Sequence, residues 1–247
     1  MKDQAEGLRQ LFSATVDSPV VCLVSCPSRD AIAIPFAKSL IDSLASRGHP
    51  MLWIDEIDFR RREGLPLAAN VRFQLSQWMN GDVALKDTVT PFGDQRWYAY
   101  SGGDLPKTPS DSKRNALDQF QQSGLDTEIV VASITERTLL LPALAGQPVH
   151  VALVCDAKPA QLRPTLSWIS RIESAAEIAS ISLTLCGDET ACDAFRHAIE
   201  EVSAGFIAST PEILGNLNFK LMSTPLAAFG RASQPLTDRL ATRILHR

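Results

Sequence analysis

The chain has 247 residues, 45% hydrophobic and 21% charged, with a formal net charge of −4. This is ordinary globular composition with enough apolar content for a two-sided core, and the acidic excess argues against a general nucleic-acid surface, which needs a basic one. No run approaches the ~18 apolar residues of a membrane span, and the polar start (Lys2, Asp3, Gln4, Glu6, Arg9) holds no secretory h-region, so a cytoplasmic protein is expected.

Residues 3–12 have an amphipathic helical spacing: Ala5, Leu8, Leu11 and Phe12 share one face, with Arg9 elsewhere. Gly7 weakens such a helix by about 1 kcal/mol relative to Ala, and roughly ten residues are marginal alone. The segment therefore either packs on the domain or folds on a partner. Val20 to Val24 reads as a short buried strand, Phe36 to Arg47 as an amphipathic helix, and Met51 to Ile54 as a second buried strand ending on Asp55 and Glu56. Val71, Leu75, Trp78 and Met79 recur at helical spacing, with Gly81 as a stop. Residues 95–100 read as a strand closed by the turn at 101–104, and 107–112 is the most linker-like stretch. Three more β-rich runs lie at 128–132, 149–154 and 178–185, with helices expected at 136–144, 159–172 and 189–203. At the far end Leu236, Leu240, Ile244 and Leu245 face one way while Arg239, Arg243 and Arg247 carry charge. That helix either closes the core or rests on an anionic membrane. Apolar runs separated by helices predict an α/β fold: a doubly wound, mostly parallel sheet with helices on both faces, in one domain over 18–247.

Between the first strand and the first helix, a nucleotide-binding α/β chain carries its phosphate loop. Here the sequence is Ser25-Cys26-Pro27-Ser28-Arg29-Asp30-Ala31-Ile32-Ala33-Ile34, without a glycine or a lysine. A phosphate loop needs glycines so that successive N–H groups converge on the phosphates, a Lys for charge and a Ser/Thr for magnesium. Pro35 adds a further obstacle. If it takes the first helical position, the helix begins too late for a phosphate turn. If Asp30 caps an earlier start, its carboxylate takes the positive helix end that an anion would want. Ser28 and Arg29 are the residues from which a private anion site would be built; otherwise Arg29 is a solvated loop residue.

Asp55 and Glu56 stand at a strand end, where ligands of open sheets bind. They either hold magnesium and orient a water, or cap the next loop and pair with Arg60, Arg61 and Arg62. The run Ile129 to Ala132 ends on Ser133 where a magnesium-associated Asp is wanted, and Asp156 is expected to cap the helix entered through Lys158-Pro159. Cys22, Cys26, Cys155, Cys186 and Cys192 form no CxxC and no Cys/His pair, so buried reduced thiols are expected, without a metal site. The four histidines are isolated, and neither HExxH nor G-x-S-x-G occurs. No catalytic residue is assigned.

Residues 2–11, Lys-Asp-Gln-Ala-Glu-Gly-Leu-Arg-Gln-Leu, resemble the N-terminal D-Q-A-x-x-L-R-x-L signature of the flagellar number regulators FlhG (FleN), a MinD/ParA-type ATPase family. Residues 36–55 resemble that family's helix and strand between phosphate loop and D-x-D, and residues 81–89 resemble its G-x-x-x-L-x-D-x-V segment. The strands and helices at 149–172 and 178–203 fit its C-terminal half. The departures concern the catalytic parts. Anchored on Gly48, Ala33 and Ile34 take the places of the phosphate-loop Lys and Thr; D-x-D becomes Asp55-Glu56-Ile57; and Ser133 replaces the central-strand Asp. The resemblance thus implies a pseudo-ATPase with a degenerate nucleotide site at Ser28, Arg29, Asp30, Asp55 and Glu56, holding neither ATP nor magnesium. It also implies that residues 1–17 bind the signal-recognition-type flagellar GTPase FlhF through Asp3, Gln4, Ala5, Leu8 and Arg9. Gln4 is the residue expected to stimulate GTP hydrolysis. Flagellar basal-body proteins are further expected partners, at the cell pole or membrane periphery. Two other readings stand beside this one: an ATPase with an atypical loop, and a ParA-like localisation factor for another machine.

Overall fold

The computed structural model describes residues 19–57, 71–75, 77, 82–101, 127–136, 138, 140 and 148–246. Within them the strands are β1 (Val20–Ser25), β2 (Met51–Asp55), β3 (Val89–Gly93), β4 (Arg96–Tyr100), β5 (Ile129–Ser133), β6 (Pro148–Asp156), β7 (Glu177–Cys186) and β8 (Glu212–Leu217). The helices are α1 (Ala33–Ala45), α2 (Leu85–Thr88), α3 (Pro159–Glu173), α4 (Glu189–Val202) and α5 (Leu226–Leu245), with a 3-10 turn at Asp30–Ile32 before α1. The strands form one sheet in the order β3-β4-β2-β5-β1-β6-β7-β8. All neighbouring pairs are parallel except the β3–β4 hairpin. β2 and β5 are buried along their whole length, as central parallel strands covered on both faces must be.

Successive residues of a strand point to opposite faces, and this divides the core in two. Leu23, Leu52, Val130 and Val151 pack on one face beneath Leu166 and Ile169 of α3 and Phe195 of α4. Cys22, Val24, Trp53 and Val131 pack on the other, beneath Phe36 and Leu40 of α1 and Phe229 and Leu240 of α5. Helices on both faces give the doubly wound α/β architecture expected from the sequence.

The central elements lie where the apolar runs put them, with ends shifted by one to three residues. α1 begins at Ala33, three residues before the expected start, and Gly48 (φ +85°) terminates its last turn, donating to the Ala45 carbonyl. Pro35 is neither the first helical residue nor displaced by an Asp30 cap. It is the third residue of α1, still in the first turn, where its missing N–H costs no helical bond. The expected helices at 71–79 and 136–144 and the linker at 107–112 lie wholly or largely outside the described residues, as do residues 1–17.

Two edge strands and half a helix were not anticipated. β3 contains Pro91 and Gly93, and β8 contains Gly215 and Asn216 at the other edge; both are weak strand sequences stabilised by pairing on one side. α5 starts ten residues before the stripe that announced it, because Gly230 and Pro235 obscure the pattern. Leu236, Leu240 and Ile244 are buried against α1 and the sheet, so this face closes the core. Gly230 lets α5 approach closely: a Cβ there would lie 3.2 Å from Pro35 Cβ. Gly230→Leu should therefore overpack the contact and lower stability by about 1–3 kcal/mol, read by urea denaturation. An unchanged midpoint would show that the two helices separate freely.

Candidate functional site

The strand ends of β2, β5, β1 and β6 lie side by side at the centre of the sheet, closing on Asp55, Ser133, Ser25 and Asp156. The chain winds outward in opposite directions from this point, which is where open α/β sheets place ligands. The loop leaving β1 makes tight turns. The Arg29 N–H donates to the Cys26 carbonyl (3.0 Å) and the Ile32 N–H to the Arg29 carbonyl (2.9 Å), so these amides face the loop's own backbone. Cys26 Sγ and Ser28 Oγ lie 3.6 Å apart. Asp30 sits in the 3-10 turn, and no side chain caps the N-terminus of that turn or of α1. Ala33 and Ile34 are buried in the core at 0% and 1% exposure.

Arg29 is neither solvated nor turned toward an anion. Its Nη1 donates to the backbone carbonyls of Leu221 (2.6 Å) and Thr224 (2.8 Å), fastening the loop to the segment before α5. That segment is itself a compact turn, in which the Thr224 N–H and hydroxyl both donate to the Lys220 carbonyl. The guanidinium thus bridges two loops at the same end of the sheet.

Asp55 is buried at 1% exposure, and local donors engage both of its carboxylate oxygens. The Ile57 N–H donates to Oδ1 (2.9 Å) and the Tyr98 hydroxyl to Oδ2 (3.0 Å). The loop-capping alternative is thus the arrangement found at Asp55. Glu56, also buried, is held by its backbone N–H on the Ser133 carbonyl (3.0 Å). Ser133 accepts a hydrogen bond from Trp53 Nε1 (2.9 Å), and Trp53 meets Tyr98 edge-on with centroids 5.3 Å apart. Trp53 and Tyr98 were missed from the sequence, where they are simply strand residues. Arg60, Arg61 and Arg62 lie outside the described residues.

Asp156 does not cap α3, whose N-cap is Lys158 without a side-chain hydrogen bond. Instead it pairs with Lys158 Nζ at 2.5 Å. Pro159 at the first helical turn lacks the N–H that a cap would serve. The Ser25 hydroxyl is buried without a hydrogen-bond partner among the described residues.

All five cysteines are buried and free. Burial raises the Cys22 and Cys155 thiols to about 12 and Cys26 to about 11, from an ordinary value of 9.0. They are therefore neutral and poorly nucleophilic near neutral pH. Among the described residues no group of His, Cys, Asp and Glu is arranged to hold a metal ion, and no helix is long and apolar enough to cross a membrane.

No family model and no curated protein matches the chain. Solved structures do. The MinD cell division protein of Aquifex aeolicus superposes with a TM-score of 0.62 at 14% identity, covering 93% of this chain and 97% of its own. The septum site-determining protein MinD from Pyrococcus horikoshii, complexed with Mg-ADP, gives 0.58 at 12% identity, with coverages of 92% and 95%. A plasmid partition protein from Borrelia burgdorferi gives 0.60 at 11% identity, with coverages of 92% and 100%. The chain therefore has the fold of the MinD/ParA-type P-loop ATPases.

Proposed function

We propose that this protein is a non-catalytic regulator, a pseudo-ATPase on a MinD-type scaffold, that works by protein contact. The observation that carries the reading is the state of the loop after β1. The positions aligned with the phosphate-loop Lys and Thr are Ala33 and Ile34, both in the core, and the loop's one arginine is committed to the carbonyls of Leu221 and Thr224. A magnesium–triphosphate site needs converging amides, a cation and a hydroxyl for the metal. The described residues of this loop supply none of these in an available form, and Asp55 meets local donors with both oxygens. Neither ATP nor magnesium is assigned to it.

The N-terminal resemblance supplies the partner. Residues 1–17 bind the flagellar signal-recognition-type GTPase FlhF, with Asp3, Gln4, Ala5, Leu8 and Arg9 at the contact. The protein thereby controls flagellar number or placement from the cytoplasm, at the pole or membrane periphery. Gln4 is a side chain able to orient an attacking water in phosphoryl transfer. A GTPase assay tests this with the full chain added to the flagellar GTPase. Stimulated hydrolysis, lost by at least about tenfold in Gln4→Ala, is expected, since water-positioning groups contribute on this scale or more. Absence of stimulation, or a Gln4→Ala variant as active as the parent, overturns the flagellar assignment.

A further inference from the structure

α1 and α5 lie side by side in parallel, with a constant register. Pro35 faces Gly230, Ser39 bonds Gln234, Ser43 bonds Asp238 and Arg47 bonds Thr242, an offset of 195 residues each time. Their N-terminal halves splay enough to leave a groove of about 380 Å³, lined by Ile34, Pro35, Lys38 and Asp42 on one side and Leu226, Gly230 and Arg231 on the other. The lining is mainly apolar, and its rim is ordered by charge. Arg231 and Lys38 stand toward the helix N-termini, while Asp42 and Asp238 stand about one turn further along. Neither α1 nor α5 has a side-chain cap, so two positive helix ends add to the basic end of the groove.

We propose that this groove is the resting site of the chain's own residues 3–12, docked as a helix. These residues lie outside the described part of the structure; the argument rests on their sequence, their tether and the groove. Ala5, Leu8, Leu11 and Phe12 form one apolar face, of the kind that helix-in-groove recognition uses. The tether fixes the direction. The chain enters the described structure at Pro19, at the start of β1, beside Glu128 and Pro50 and therefore at the C-terminal end of α1. The seven steps from Phe12 to Pro19 span at most about 24 Å. The near end of the groove lies roughly 5 Å along α1 from that end and about two helix layers of 8–10 Å out from the sheet. Phe12 can therefore reach only the near end, and residue 3 points toward the helix N-termini.

In that orientation the charges match in order. Asp3 and Glu6 fall at the basic end, beside Arg231, Lys38 and the two helix N-termini, and Arg9 falls one turn on, beside Asp42 and Asp238. The other sizeable groove, about 540 Å³ between α3 and α4, fits worse. It opens near the carboxyl ends of β6 and β7, the full length of the strands away from Pro19, and its rim carries Asp188 in place of cations. A tether this short gives millimolar effective concentration, so even weak docking populates the site. The segment would then exchange between its own domain and any partner that captures it.

The test is a disulfide trap in the full-length chain. The native thiols are buried, so introduced cysteines report alone. Leu8→Cys with Gln234→Cys should form an intramolecular disulfide under mild oxidation, whereas Leu8→Cys with Ala194→Cys, in the α3–α4 groove, should not. Adding Arg231→Asp should lower the yield about fivefold, the scale of one or two surface charge pairs near helix ends. Equal trapping at 194 and 234, indifference to Arg231→Asp, or disulfides joining two chains would each overturn the proposal. The trap reads docking without any GTPase, so its failure and a failure of the partner assignment are distinguishable.

Discussion

Installing at Ala33 the lysine that a phosphate loop would carry is expected to lower stability by roughly 4–7 kcal/mol and to create no nucleotide site. The size follows from burial. Ala33 is 0% exposed, between Ile32 at 0% and Ile34 at 1%. A lysine held there loses its hydration, and buried lysines shift by 3–5 pKa units, each about 1.4 kcal/mol. The stem must also displace packed neighbours, which adds an overpacking cost. Urea denaturation of Ala33→Lys reads the loss, and calorimetry with Mg-ATP reads the site. A variant as stable as the parent that binds ATP would mean that position 33 opens on the crevice, contrary to the structure. Such a result would make the loop a phosphate loop lacking one side chain.

The second large effect concerns Arg29. Removing its guanidinium in Arg29→Ala deletes both charge-assisted hydrogen bonds to Leu221 and Thr224. Such bonds are worth about 1.5–3 kcal/mol each when buried. Arg29 is only partly buried, so a combined loss of about 2–3 kcal/mol is expected, or roughly 4–12 °C in Tm for a chain of this size. The damage should be local. Amide exchange should quicken across 221–229, where the segment enters α5, and remain slow in α3 on the opposite face. Arg29→Lys should recover little, because an ammonium does not reproduce the fork that spans two carbonyls. An Arg29→Ala variant with unaltered Tm would show that the bridge between the two loops holds nothing.

How much of this could be read beforehand depended on where each signal lay along the chain. β1, α1, β2 and the β6–α3–β7–α4 stretch are written in local apolar periodicity, and they were legible. β3 and β8 were not, because Pro91, Gly93 and Gly215 contradict strand formation locally and only pairing at a sheet edge overrides them. The first half of α5 was hidden by Gly230, whose purpose is close approach to Pro35, a contact across 195 residues. At the site, the loss of the Lys and Thr positions was visible in the spacing to Gly48. The use of Arg29 was not visible, since its partners are backbone carbonyls almost 200 residues away and leave no side-chain signature. Asp156 was misjudged for a related reason: a proline start needs no cap, and Lys158 offered a nearer charge.

The measurement that bears most directly on the central claim is titration of the intact protein with Mg-ATP by calorimetry, with phosphate release followed in parallel. A chain whose loop amides, arginine and carboxylate are already engaged within the fold should give no binding heat up to millimolar nucleotide, and no turnover. Micromolar binding accompanied by hydrolysis would contradict it, and would return this protein to the ATPases whose fold it shares.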